Sequence, residues 1–347
     1  IIDKDISNKN YYSDTHLLET SLNQIKTDYL QDRKTAKYFQ NRKTAKRSNS
    51  KSKNGKKKCE RPSGQEGPLQ CFDTKGYASK APITFKGDIM HNKFFIVDKK
   101  YIWTGSSNVS DTGTGGYNAN IVAVIRSDFL AKNYLVEFEQ MFRGHFHRAK
   151  KQLKKKNIEV KIDGQKVNLF FSPQGYAMYK GVIPLIKESK RTIDVAVFFL
   201  THKNVSKELV LAKKRGVQVR VILDATAATN GYSKHNYLRE HGILVKVEDW
   251  GGKMHMKSAL IDNKHLIIGS MNWTSAGESK NDENTLIIRN SRDAPSYTKF
   301  YNKMWDSISD EWLDNDPKAE SIESGSSCSD RIDNDFDHLV DNDDAGC

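Results

Sequence analysis

The apolar positions of this chain fall into short blocks rather than long stripes, and two of those blocks repeat. Residues 91–108 read HNKFFIVDKKYIWTGSSN, and residues 255–272 read HMKSALIDNKHLIIGSMN. In each, one apolar run lies between a lysine and an aspartate, and a second precedes a Gly-Ser pair. Runs of this length, bounded by turn formers, predict a strand, a tight turn at Asp98-Lys99-Lys100 or Asp262-Asn263-Lys264, and a second buried strand. Upstream of the second copy, Thr192–Leu200 (TIDVAVFFL) reads as a strongly apolar strand. Val205–Arg215 has helical spacing and stops at Gly216, and Val217–Leu223 is a further strand ending at Asp224. Strand and helix in alternation predict an α/β fold with a mostly parallel sheet flanked by helices.

The first copy has a shorter lead-in. IIDKDISNKNYY resembles ILDATAATNGYS, with Ile2-Asp3 in the place of Leu223-Asp224. On that comparison, roughly fifty residues of a complete first half have no counterpart here, including a strand, a helix and most of a second strand. Three segments are expected: a first repeat over 1–150, a second over 151–315, and a small tail over 316–347.

Length and charge narrow the partners. At 347 residues with 37% apolar content the chain can bury a sizeable core. No run of eighteen apolar residues exists, and the opening IIDKDISNKN has neither the basic start nor the apolar stretch of a signal peptide. Net charge is +13, unevenly spread: Cys328–Cys347 holds seven Asp against one Arg, which leaves +19 on the remainder. A basic body points to polyanionic partners, either nucleic acid or an anionic membrane surface. The stretch Lys34–Lys58 is very basic and poor in apolar residues, and is expected to be a surface loop. Four cysteines form two local pairs, Cys59 with Cys71 and Cys328 with Cys347. That pattern suits two disulfides in an exported protein, secreted or periplasmic, and neither pair has zinc-site spacing.

The repeated polar residues carry the chemistry. Positions i and i+2 of a strand share a face, so His91 projects with Lys93, and His255 with Lys257. With Asn108 and Asn272 they can surround a phosphate: lysines neutralise it, and asparagines donate hydrogen bonds without a metal. One histidine can attack phosphorus while the other protonates the leaving oxygen, and water then releases the phosphoenzyme. Two copies are needed because one histidine cannot take both roles at once.

HNKFFIVD…GSSN and HMKSALID…GSMN resemble the duplicated signature of the phospholipase D superfamily, over about Ile1–Trp312. The resemblance implies two pseudo-symmetric α/β lobes with the site at their interface. It makes His91 the nucleophile and His255 the general acid. Lys93, Asn108, Lys257 and Asn272 bind phosphate together with Ser106 and Ser270, while Asp98 and Asp262 support the site from behind. The family often has a carboxylate shortly after G-S-x-N that orients the opposite repeat's histidine. Aligning NWTSAGESKNDEN with NVSDTGTGGYNAN sets Glu283 opposite Ala119, so only the second repeat supplies it, and across the interface it would serve His91.

Trp103, Trp250 and Trp273 lie near the motifs as core residues or as the lining of an acyl or base pocket. His145, His147, His235 and His241 match no repeat position. In the tail, Asp333, Asp335, Asp337, Asp341 and Asp344 fall at positions 1, 3, 5, 9 and 12 of a calcium-loop pattern, with His338 where glycine is expected. A structural calcium is therefore expected there, and no cofactor for catalysis. The substrate reading is a secreted phospholipase D acting on an anionic or zwitterionic phospholipid surface and able to transfer to alcohols. The alternative is a secreted metal-independent endonuclease taking nucleic acid. A non-catalytic anion-binding protein fits less well, because all four His and Lys residues are intact. No obligate protein partner is evident.

Overall fold

The computed structural model describes residues 88–109, 113, 118–142, 145–154, 158–250, 252–318 and 329. The basic segment 34–58, the four cysteines, the Asp-rich stretch 333–344 and the residues compared with the end of the Val217–Leu223 strand lie outside them. The chain divides into two compact units, Ile1–Met90 with Glu137–Lys151, and His91–Val136 with Gln152–Cys347. In the described part of the first, a buried ion pair joins Lys150 to Glu137, and Gln140 Nε2 donates to Lys151 O at 3.2 Å.

The second unit carries two sheets. The smaller has β1 (Phe94–Val97), β2 (Tyr101–Gly105) and β3 (Val122–Arg126), all antiparallel, and leads into helix α1 (Asp128–Phe142), of which residues up to Val136 belong to this unit. The larger has eight strands: β4 (Glu159–Ile162), β5 (Gln165–Ser172), β6 (Thr192–Val197), β7 (Gln218–Leu223), β8 (Leu244–Val247), β9 (Lys257–Ile261), β10 (His265–Gly269) and β11 (Glu283–Arg289). Their order is β4-β5-β11-β10-β9-β6-β7-β8. Only β6, β7 and β8 run parallel; the other pairs are antiparallel. The sheet is therefore mixed, with its parallel part where α2 (Ile183–Glu188) leads into β6 and α3 (Lys203–Lys214) joins β6 to β7. Among the described residues, no helix is long and apolar enough to cross a membrane.

Both faces of the large sheet are covered, which is why its strands read as unbroken apolar runs. Val219, Val221 and Leu223 of β7 point with Val195 and Val197 into one core, filled by Ile183, Ile186, Val205 and Leu209 of α2 and α3. Ile222 and Ala196 face the opposite core, which holds Ile102, Leu130 and Tyr134 with Tyr297, Tyr301 and Met304 of the helix Ala294–Ser307. Helix α3 begins where the His202 side chain accepts from Val205 N and ends before Gly216, whose φ is +89°.

The two hairpins are built alike. Asp98 and Lys99, and likewise Asp262 and Asn263, have positive φ at both central positions, the type I′ geometry that matches strand twist. The glycine of each G-S-x-N motif is there for the partner strand. A Cβ on Gly105 would lie 2.1 Å from Ile121 O, and one on Gly269 2.2 Å from Asn284 O. Gly269→Ala is therefore expected to destabilise the fold by about 1–3 kcal/mol through forced backbone displacement. A urea-denaturation midpoint equal to wild type would show that β11 can shift freely.

Candidate active site

Each repeat clamps the other's histidine strand. His91 N donates to Asp282 O at 2.9 Å, and His255 N donates to Ala119 O at 3.0 Å. Ala119 N in turn donates to Lys253 O at 2.8 Å, completing an isolated bridge between Ala119 and Met254. The segment after one G-S-x-N motif thus lies along the start of the other repeat's H-x-K strand. Within each strand the lysine folds back the same way: Lys93 Nζ donates to His91 O at 3.0 Å and Lys257 Nζ to His255 O at 2.7 Å.

The second coordination of each histidine differs. His91 Nδ1 lies 2.8 Å from Glu283 Oε2, which also accepts from the Ser270 hydroxyl at 2.7 Å. His255 Nδ1 lies 3.1 Å from Asn120 Oδ1, which accepts from the Ser106 hydroxyl at 2.8 Å. Asn120 Nδ2 donates to Gly113 O at 3.2 Å, so its oxygen is the atom turned to the ring. With an acceptor on each Nδ1, both rings carry that proton, and Nε2 is left as the reactive atom. One histidine is backed by a carboxylate and the other by a neutral amide.

Electrostatics sharpen that difference. Burial lowers the His91 pKa, and Lys93 and Lys257 add to the effect, while the Glu283 carboxylate pulls the other way. His255 is held well below the usual histidine range by burial, by Lys257 and Lys93, and by His91 and Lys253, with no opposing anion. Each histidine feels both lysines, so the four groups share one site. Lys257 is itself pushed well below the usual lysine range by burial and by Lys93, against Glu283 and Asp224.

Comparison with known proteins fits this duplicated arrangement. Residues 16–142 and 182–305 match the family described as cardiolipin synthase, PLD-like domain, and together make up more than two thirds of the chain. The chain belongs to the phospholipase D-like family. It is 33% identical over 116 residues to a mitochondrial cardiolipin hydrolase of Chlamydomonas reinhardtii, covering 33% of this chain and 52% of that protein. It is 31% identical over 146 residues to a phospholipase D of Rickettsia conorii, covering 42% of this chain and 72% of that protein. The chain spans about half the length of the cardiolipin hydrolases it matches. A phosphatidylserine synthase structure from Haemophilus influenzae shares the fold at a TM-score of 0.50 and 12% identity, over 64% of this chain and 63% of that one.

Within this phospholipase D-like site, several sequence expectations change place. Ser106 and Ser270 are fully buried. Their hydroxyls are taken up by Asn120 and Glu283 and by the amides of Ile121 and Asn284, so they order the residues behind the histidines rather than reach a phosphate. Asp262 lies at the far end of β9, about 16 Å along the strand from Lys257. Its carboxylate accepts from the backbone amides of Lys190, Arg191 and Thr192 and so fixes the entry into β6. Asp98 sits exposed in the equivalent turn. Neither aspartate supports the histidines directly. Trp273 is buried in the core and cannot line a pocket, Trp250 packs against the opposite core, and Trp103 stacks edge-on with Phe95. Asn108 and Asn272 remain half-buried at the ends of their motifs, and Asn272 Oδ1 has no hydrogen-bond partner among the described residues.

Two features had a weaker sequence signal. The structural counterpart of Glu283 is Asn120, not Ala119, because the loop of the first repeat is one residue longer: Val122 pairs with Gly105 where Thr285 pairs with Gly269. An alignment with that single gap would have found it. The second is Phe198, whose ring lies 5.2 Å from that of His255 and 5.0 Å from Lys257 Nζ. It follows β6 directly within the apolar run Thr192–Leu200 and looks like core in the sequence.

Proposed function

We propose that the chain is a phosphodiesterase that forms a phosphohistidine on His91. The observation that carries this reading is the unequal backing of the two rings, Glu283 on one and Asn120 on the other. Attack of His91 Nε2 on phosphorus leaves the ring with a positive charge, which a buried carboxylate at Nδ1 stabilises and an amide does not. His255, without an anion of its own, gives up its Nε2 proton readily. The proton is held only when a phosphodiester anion lies against the ring.

The steps balance within these residues. Lys93 and Lys257 neutralise the nonbridging oxygens, and Asn108 and Asn272 donate to them. His91 Nε2 forms the N–P bond as the P–O bond to the leaving group breaks, and His255 Nε2 protonates the departing oxygen. His255 then takes a proton from water, whose oxygen attacks phosphorus and releases His91. An alcohol in place of that water gives transfer instead of hydrolysis.

For substrate we infer a phospholipid headgroup, in an exported protein stabilised by two disulfides and a calcium-bound tail. The matched relatives named for cardiolipin hydrolysis and phospholipase D activity support the lipid. The charge of +13 favours nucleic acid as the second reading. Turnover on phospholipid vesicles and on single-stranded DNA, measured side by side, separates them. Headgroup release, with product diverted to phosphatidylethanol in ethanol, is expected. Rapid DNA cleavage without headgroup release would overturn the lipid reading.

A further inference from the structure

The loops at the catalytic edge of the large sheet carry a surface that the mechanism above does not use. β5 ends at Ser172 opposite Glu283, β6 at Val197 opposite Lys257, and β7 at Leu223 beside Val197. The segments after them, 173–180, 198–204 and 224–234, therefore leave the sheet on the side of the reactive histidines, as 270–282 does after β10. The four are tied to one another. Glu278 accepts from Met178 N at 3.0 Å and from Tyr179 N at 3.3 Å. The Tyr179 ring packs edge-on against His202 at 5.4 Å, and Asn204 Nδ2 donates to its hydroxyl at 3.1 Å. Thr201 N donates to Trp273 O and Lys234 N to Leu200 O, each at 3.0 Å. Phe198 joins the group to the His255 ring.

Outward, these loops present tyrosine and lysine. Tyr176, Tyr179 and Tyr232 are exposed, Tyr232 at 77%, and so are Lys180, Lys203 and Lys280. The carboxylates of the same loops, Asp224, Glu278 and Asp282, are all buried. Asp224 caps the turn that follows β7 by accepting from Ala227 N at 2.9 Å, and Glu248, after β8, is buried against Ala225 N at 3.1 Å. The outer face is thus positive, with no exposed acid in the four loops to offset it. Two of its residues sit against local preference. Tyr176 has φ +55°, a backbone region that large side chains avoid. Lys203 opens α3, the helix end at which a cation is disfavoured. Local cost of this kind concentrates where a surface serves a function.

We propose that these four loops form a docking face for an anionic phospholipid surface, with the tyrosines in the headgroup layer, the lysines against its phosphates, and the catalytic edge turned to the bilayer. This deepens the lipid reading above and rests on it. Tyrosine suits such a boundary because its ring is apolar and its hydroxyl wet, and exposed lysines are drawn to the negative surface potential. A platform for nucleic-acid bases needs open ring faces. Here Lys180 Nζ already lies 4.8 Å from the centre of the Tyr176 ring, and Tyr179 is held by His202 and Asn204.

The test is sedimentation of the full chain with vesicles of phosphatidylcholine alone and of phosphatidylcholine mixed with phosphatidylglycerol. Wild type is expected to bind the mixed vesicles more tightly, and salt to weaken that binding. Replacing Lys180, Lys203 and Lys280 together by Gln is expected to weaken it by about fivefold per lysine, on the order of 100-fold in all at low salt. Tyr232→Ser is expected to weaken binding to both kinds of vesicle. Both variants should keep wild-type kcat/KM on bis(p-nitrophenyl) phosphate, which needs no surface. If the triple variant loses that soluble activity, the three single substitutions replace it. Unchanged vesicle binding in the lysine variants overturns the docking face. Loss of single-stranded DNA binding with vesicle binding intact overturns it too, and assigns the loops to nucleic acid. Lysine-dependent vesicle binding without headgroup release would instead refute the lipid substrate and leave the docking face standing.

Discussion

His91→Ala is expected to reduce turnover by on the order of 10⁴-fold or more, the scale seen when a covalent nucleophile is deleted. Nothing else in the site replaces it: His255 faces an amide rather than a carboxylate and is the more strongly depressed ring. His255→Asn should behave differently. Attack by His91 still occurs on a substrate with a good leaving group, but the general base that activates water is gone, so phosphoenzyme accumulates. Quenching with labelled substrate, digestion and mapping should locate acid-labile, base-stable label at His91. Label at His255 would exchange the two roles. Absence of label in both variants would remove the covalent intermediate, leaving direct attack by water on the diester as the mechanism to test.

Much of this site is legible in the sequence because its reactive groups are local. A histidine and a lysine two residues apart, followed at fixed offset by G-S-x-N, need only a strand to share a face, and the apolar runs supply that strand. The cross-connection from Glu283 to His91, 192 residues apart, is what the family resemblance implies. What stays hidden depends on where chain ends meet in space. Asp262 occupies a repeated position, yet repetition marks any shared need, and here the need is a hairpin tied to the amides before β6. Ser106 and Ser270 recur for a similar reason, as supports behind the rings. Asp224 and Glu248 come from the ends of adjacent parallel strands, and each alone reads as a helix cap or a surface acid. The mixed sheet was half visible: β6, α3 and β7 announce a parallel unit, whereas the antiparallel insertion of β9 beside β6 has no local signal.

Glu283→Gln should lower kcat by about 10²- to 10⁴-fold while leaving KM nearly unchanged, since the carboxylate acts on the ring and not on the substrate. The geometry survives the change, because Gln retains an oxygen for His91 Nδ1–H and the Ser270 hydroxyl. What is lost is the negative charge opposite a ring that becomes positive. The pH dependence follows with a definite sign. Glu283 raises the His91 pKa against burial and the two lysines, so removing its charge lowers that pKa further. His91 is then neutral and nucleophilic at lower pH, and the acid limb of kcat/KM moves down even as the maximum falls. The reciprocal variant, Asn120→Asp, gives His255 the anion it lacks and should raise its pKa, holding its proton to higher pH and extending activity on the alkaline side. Combining the two transfers the carboxylate from one ring to the other. If the unequal backing sets the roles, the double variant recovers part of the activity lost in Glu283→Gln and carries its phosphohistidine on His255. Label that stays on His91 in the double variant would mean that substrate orientation, not the buried carboxylate, decides which histidine attacks.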